Sequence, residues 1–238
     1  MSEIKPNDIN EVPQHKIENQ IQPENGMTLQ ESKGFWDNTF QDLKGNNIES
    51  SDEKDVNDSI CGGEYTTFEE RMKQTPKNGE RGKFEGERAN SKFVPSDETD
   101  AGARCKEKLA EYGLDGIEYK NGEADFSKVS EATLQIDKMT ENMHDYYDND
   151  GNRQEGNFTQ ADKKLAEQWN MEAKDGKTDW TEKDVAEYRS TNNLSWHERC
   201  DTKTMDLVPR EIHEYCSHSG GRAECRIRDN NNGGSFDE

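Results

Sequence analysis

Apolar residues along this 238-residue chain are spaced rather than clustered, and their period changes as the chain proceeds. The first organised stretch, GFWDNTFQDLKG, sets Trp36, Phe40 and Leu43 at i, i+4 and i+7, one face of a short helix expected to dock on the domain that follows. TTFEERM, residues 66–72, is too short to assign, and KFEGERANSKFVP, residues 83–95, reads as short extended pieces around Gly86. A helix is predicted from Ala103 to Tyr112, stopped by Gly113. IEYKNGEADF then reads as a β-hairpin, with Asn121-Gly122 supplying the positive-φ pair of a tight turn. Two more helices follow. NFTQADKKLAEQWN aligns Phe158, Ala161, Leu165 and Trp169 on one face, and TEKDVAEYRS opens on a Thr181 N-cap with Asp184 three residues on, turning Val185 and Tyr188 inward.

The period drops to two near the end. In LSWHE, Leu194 and Trp196 face one way, Ser195 and His197 the other. RCDTK is the turn, and TMDLVP returns as a second strand with Met205 and Leu207 on one side and Asp206 opposite. Pro209 ends that strand ahead of a helix from Arg210 to about Ser217, with Gly220-Gly221 read as its stop. A β-hairpin followed by a helix lets His197 on the first strand meet His213 and His218, so three of the five histidines can converge.

Composition changes the picture in two ways. With 28% hydrophobic residues, 35% charged and a net charge of -21, the chain cannot bury a core along its whole length. Residues 1–81, rich in Asn, Gln, Glu and Ser, carry 17 Asp+Glu against 9 Lys+Arg and are expected to be a mostly disordered acidic region. The domain is expected over residues 82–228, with the hairpin-helix unit at about 192–221 and a flexible tail at 229–238. Acidity argues against nucleic-acid binding, yet His197–Arg228 holds 6 basic and 6 acidic residues and is locally neutral. No apolar run approaches the roughly 20 residues that cross a bilayer. MSEIKPNDINEVPQ also lacks the basic and apolar regions of a Sec-type signal, so a cytoplasmic protein or one using a non-Sec toxin export route is expected. Five cysteines without secretory context are expected to be reduced thiols.

Convergent neutral imidazoles are what a divalent transition-metal ion requires, and such an ion stabilises the charge that develops when a phosphodiester is cleaved. On this reading His197, His213 and His218 hold one divalent ion (Mg, Mn, Ni or Zn), Glu198 or His197 activates water, and Asp206 orients that group or a ligand. Arg199, Lys203 and Arg210 steady phosphates. Strict alternation turns Glu198 towards the core with Trp196, which favours His197 for the central role; a bulge at the strand end would let both reach the metal. His15 and His144 have no place in this arrangement. YYDNDGNRQEG fails as a calcium loop, with Arg153 where Gly is needed and Thr159 where the bidentate Glu belongs, and reads as a solvated turn between helices.

The residues Trp196-His197-Glu198, Lys203-Thr204-Met205-Asp206-Leu207-Val208-Pro209, Ile212-His213 and His218-Ser219-Gly220-Gly221 resemble the nuclease toxin branch of the HNH/endonuclease VII superfamily. The likeness continues upstream in Gly86–Lys92, Tyr112–Ile117 and Gly122–Ser127, covering roughly residues 83–228. It implies an α+β domain with a ββα-metal core, a divalent cation, DNA (or RNA) as substrate, and a bacterial toxin neutralised by an immunity protein. It implies too that His197 and Glu198 hold a ligand and a general base, and that His213 and His218 are ligands or phosphate contacts. The sequence departs from the branch at Glu198, which stands for a second His, and at Asp206, which stands for Gln. A rival reading keeps the scaffold without the chemistry: Cys200, Cys216 and Cys225 with His218 bind a structural zinc in an interaction module, although no Cys-x-x-Cys pair is present.

Overall fold

The computed structural model describes residues 63–233. The Trp36 helix, His15 and Cys61 lie outside the described residues. In chain order the elements are α1 (Phe68–Gln74), β1 (Gly82–Phe84), β2 (Lys92–Pro95), α2 (Asp100–Glu111), β3 (Ile117–Lys120), β4 (Glu123–Ala124), β5 (Ala132–Gln135), β6 (Tyr146–Tyr147) and β7 (Arg153–Gln154). They continue with α3 (Asn157–Met171), α4 (Glu182–Thr191), β8 (Leu194–Glu198), β9 (Thr204–Pro209), α5 (Arg210–Tyr215) and α6 (Gly221–Gly233), giving a mixed α+β fold. The strands form antiparallel sheets in the orders β1-β2-β3-β4, β5-β9-β8 and β6-β7.

Two apolar cores lie on opposite faces of the β8–β9 hairpin. Phe84, Phe93, Leu109, Ile117, Phe126 and Ile212 belong to the first, together with Val208 from β9. Phe158, Leu165, Trp169 and Val185 build the second, with Leu194 and Trp196 of β8 and Met205 and Leu207 of β9. Period-two alternation therefore becomes tertiary structure: each strand residue serves the core its parity selects. Full burial of each large apolar side chain contributes about 1.5–3 kcal/mol, enough for a small domain to stand on these two clusters.

The local signals act as read for most elements. Asn121 and Gly122 both take positive φ between β3 and β4, Thr181 and Asp184 form a reciprocal capping box on α4, and Thr99 caps α2 three residues earlier than expected. Three readings are corrected. Residues 63–81 are ordered rather than part of a disordered region. The calcium-like stretch joins two strands, β6 and β7, not two helices, and the Asp148 carboxylate accepts from the backbone N–H groups of Asp150 and Asn152. Gly220-Gly221 do not stop a helix: α5 ends at Tyr215, and Gly221 begins α6, which runs beyond the expected boundary at 228. The glycines are needed for proximity, since a Cβ at Gly220 would lie 2.6 Å from the Glu198 carbonyl oxygen and one at Gly221 2.4 Å from that of Arg199.

The ordering of residues 63–81 comes from polar contacts distant in sequence. Thr67 and Glu70 form a capping box on α1. Arg71 is buried and donates to the Asn121 carbonyl, while Arg88 donates to the carbonyls of Met72, Thr75 and Pro76 and so clamps the C-terminal end of the helix. The backbone N–H groups of Tyr65 and Thr66 donate to the buried Glu224 carboxylate on α6. No helix among the described residues is long and apolar enough to cross a membrane.

Candidate active site

β8 and β9 pair without interruption from Leu194↔Pro209 to Glu198↔Met205, so no bulge disturbs the parity of Trp196, His197 and Glu198. His197 consequently enters the first core's side, where its ring lies 4.8 Å from that of Phe126. His213 from α5 and His218 from the segment after it pack against the same ring, at 5.5 and 5.2 Å. Gly220 brings that segment against the strand end, with its added Cβ position 3.7 Å from His197 Cε1. The short α5 and the double glycine thus close a loop that returns His218 to the strand from which the hairpin began.

One nitrogen from each imidazole lies within 4.8 Å of the others, the one such His, Cys, Asp or Glu cluster among the described residues. The Cys216 carbonyl 2.8 Å from His218 Nδ1 can only accept, so it fixes the proton there and leaves the Nε2 lone pair free. That nitrogen accepts from His197 Nδ1–H, 3.0 Å away. Nε2 of His197 and Nε2 of His213 are buried and have no hydrogen-bond partner. Burial drives all three imidazoles towards the neutral form: His213 is held down to about 3, with His218 and Arg210 adding repulsion, His197 falls well below its ordinary value, and His218 falls as well. Three converging neutral imidazoles, two of them with buried and unpartnered Nε2 atoms, fit one divalent cation.

A cleft of about 570 Å³ gives access to this cluster, and Glu198, His213, His218, Arg222 and Arg226 stand in its wall. Glu198 keeps the parity of Trp196, as alternation requires, but at the strand end that face opens on the cleft instead of closing in the core. Its Oε1 accepts from Asn157 Nδ2 at 3.4 Å, and burial raises its carboxyl above the ordinary value, opposed by the Asn157 hydrogen bond and by Arg222. Without a bulge, His197 thus joins the imidazole cluster and Glu198 stands in the cleft wall.

Other expected participants sit elsewhere. Asp206 is opposite His197 in the register, yet its carboxylate takes both arms of Arg199, at 2.6 and 2.9 Å, and the Thr133 hydroxyl at 2.6 Å, and it touches no imidazole. That bidentate ion pair occupies Arg199, Lys203 is exposed in the hairpin turn, and Arg210 donates from its Nε to the Leu194 carbonyl. None of the three lines the cleft. Arg222 and Arg226 of α6 do so in their place, and Arg226 pairs with Glu141 there. They follow the double glycine, and a stop read at that point hid the helix that carries them.

The cysteines do not converge. Cys216 lies in the first core beside Cys105, Cys225 in the second, and the thiols of Cys200 and Cys225 face the carbonyls of Ser219 and Met139, each at 3.4 Å. Burial pushes the Cys225 thiol up to about 11 and raises Cys200 further, whereas zinc binds thiolates. The zinc-stabilised interaction module loses its ligands.

Residues 116–220, which contain β3 through α5 and all three imidazoles, match the family model of the DNase/tRNase domain of colicin-like bacteriocin. This segment is a colicin-type nuclease domain. A nuclease domain of this type hydrolyses phosphodiester bonds, its substrate is nucleic acid, and the resemblance read in the sequence to HNH-type toxin nucleases holds. No curated protein and no solved structure matches the chain. The matched segment ends before α6 and begins after α1, β1, β2 and α2.

Proposed function

We propose that the nuclease domain is a metal-dependent DNA endonuclease with a ββα-metal core formed by β8, β9 and α5, cutting without marked sequence preference. The observation that carries this reading is the set of three neutral imidazoles with two buried, unpartnered Nε2 atoms beside a carboxylate-bearing cleft. His197, His213 and His218 are the ligand set. When bound, the cation supplies Lewis-acid stabilisation of the charge that develops on the phosphodiester.

Glu198 is the general base. It stands in the cleft wall, where water and substrate arrive, whereas His197 is walled in between Phe126 and the other imidazoles. Asn157 fixes the Glu198 carboxylate, and Asn157 is itself held by the backbone of Thr140, which donates to its Oδ1 at 2.9 Å and accepts from its Nδ2 at 2.7 Å. Arg222 on the same wall offers a cation to the scissile phosphate. Asp206 has a supporting role through Arg199 and the β5–β9 edge, not through an imidazole. An immunity protein that covers this cleft belongs to the same reading.

Plasmid nicking with added Mg²⁺, Mn²⁺, Ni²⁺ or Zn²⁺ tests it. Wild type nicks with at least one of them. Glu198→Gln slows nicking by about 10²-fold or more while the bound metal is retained, and His197→Ala loses both. Equal cleavage by wild type and His197→Ala removes the assignment, and cleavage of transfer RNA with intact plasmid corrects the substrate.

A further inference from the structure

The cleft does not end at the family-matched segment. Gln74 and Ser217 line both the cleft and a neighbouring hollow of about 550 Å³ formed by residues 73–81, and Arg81 in turn lines a third hollow, of about 770 Å³, with Arg104 and Arg210. The three are joined through shared residues and run from the imidazoles past α1 to the outer side of α5. Charge along this route is not what the chain as a whole would give. In a protein of net charge -21, the middle hollow sets Lys73, Lys77 and Arg81 against Glu80 alone, and the outer one sets three arginines against Glu211 and Glu214.

These cations are available. Lys73 and Lys77 are exposed, and neither they nor Arg104 form an ion pair within 4.0 Å among the described residues, Glu70 one turn back being the carboxylate that feels Lys73. Arg81 lies over the Tyr215 ring at 4.8 Å and donates to the Tyr215 carbonyl, contacts that aim its guanidinium without neutralising it. The strip is held firmly at both ends. Arg88 collects the carbonyls at the end of α1, the Phe84 N–H donates to Asn78 Oδ1, and the residues just before α1 are tied through Glu224 to α6, the helix that carries Arg222 and Arg226. Like charges assembled on a rigid mount beside a phosphodiester-cleaving cleft favour a polyanion lying along them, which lowers their mutual repulsion and releases its counterions.

We propose that Lys73, Lys77 and Arg81, with Arg104 and Arg210 beyond them, form a backbone-phosphate track that holds the substrate duplex on one side of the cleft while Arg222 and Arg226 hold it on the other. They are positioning residues that touch phosphates remote from the scissile one. The track rests on the nuclease reading of the imidazole site and extends its substrate contacts outside the matched segment. It also explains how an acidic chain engages nucleic acid: net charge is screened within about 8 Å at physiological salt, so the cations along the route decide.

The test is binding of the full chain to a fluorescently labelled 20-base-pair DNA duplex in a chelator, followed by anisotropy between 50 and 200 mM NaCl, with cleavage kinetics measured separately with metal. Each phosphate contact contributes about 0.9 to the slope of log affinity against log salt. Lys73→Ala/Lys77→Ala should lower that slope by about 1.8, so that the variant loses about 12-fold less affinity than wild type over this range, and should raise KM with kcat nearly unchanged. Lys83→Ala/Lys183→Ala makes the same change in net charge at exposed positions outside the three hollows and should leave the slope in place. An equal slope for wild type and Lys73→Ala/Lys77→Ala, or an equal loss in both double variants, overturns the track while the active-site reading stands if wild type still nicks. Absence of both binding and nicking in wild type overturns the two together.

Discussion

Trp196 and His197 are neighbours on one strand, both buried, and each carries ring nitrogen into an interior, yet the two interiors treat that nitrogen in opposite ways. On the Trp196 side the polar inventory closes: Trp196 Nε1 donates to Asp162 Oδ1 at 2.8 Å, and Arg189 meets both oxygens of the same carboxylate at 2.7 and 2.6 Å. The His197 side leaves acceptors on His197 and His213 without donors. A buried polar group without a partner costs free energy, and for two such nitrogens in converging imidazoles a cation from outside the chain would remove that cost. On this strand, satisfied burial belongs to Trp196 and unsatisfied burial to His197, one residue apart.

That contrast can be broken by experiment. The largest effect is expected from His213→Ala: nicking falls by roughly 10³-fold or more because a ligand is lost, while urea denaturation shows a smaller stability change than any break on the opposite face. Asp162→Ala should do the reverse. It leaves the Arg189 charge buried without its partner, so the unfolding free energy drops by about 3–5 kcal/mol, while the protein that remains folded nicks at the wild-type rate per molecule. If Asp162→Ala spared stability and abolished nicking, the two faces would have been assigned the wrong way round.

Completion of the open side should be visible directly. A divalent cation at 100 times its Kd should raise the unfolding free energy of wild type by about 2.7 kcal/mol, and calorimetry should show no such gain for His213→Ala. The smallest effect belongs to Trp196→Phe, which withdraws one of three donors from Asp162. It should cost about 1–2 kcal/mol in denaturant unfolding and leave nicking unchanged.

Much of the site was legible before the fold. Parity along LSWHE and TMDLVP separated Trp196 from His197, Pro209 marked the helix start, and the spacing of His213 and His218 returned both to the strand. The arginines that line the cleft were not legible. Arg199 looked free because nothing local announces that Asp206, seven residues on, takes its whole guanidinium. The helix α1 was hidden for a similar reason: its burial is polar, through Arg71, Arg88 and Glu224, and hydropathy does not register order that comes from carbonyls and carboxylates distant in sequence. Gly220-Gly221 carry a stop signal in one dimension and a close-approach signal in three.

The sequence by itself determined the periodic elements, the two faces of the hairpin and which three imidazoles converge, because each depends on side-chain parity, capping or turn chemistry over a few residues. Only tertiary structure decided which polar atoms would be satisfied, which cations would line the cleft, and that Glu198 could follow Trp196 and still line the cleft. Those outcomes depend on where a strand ends relative to other elements, and residues far apart in sequence set that distance.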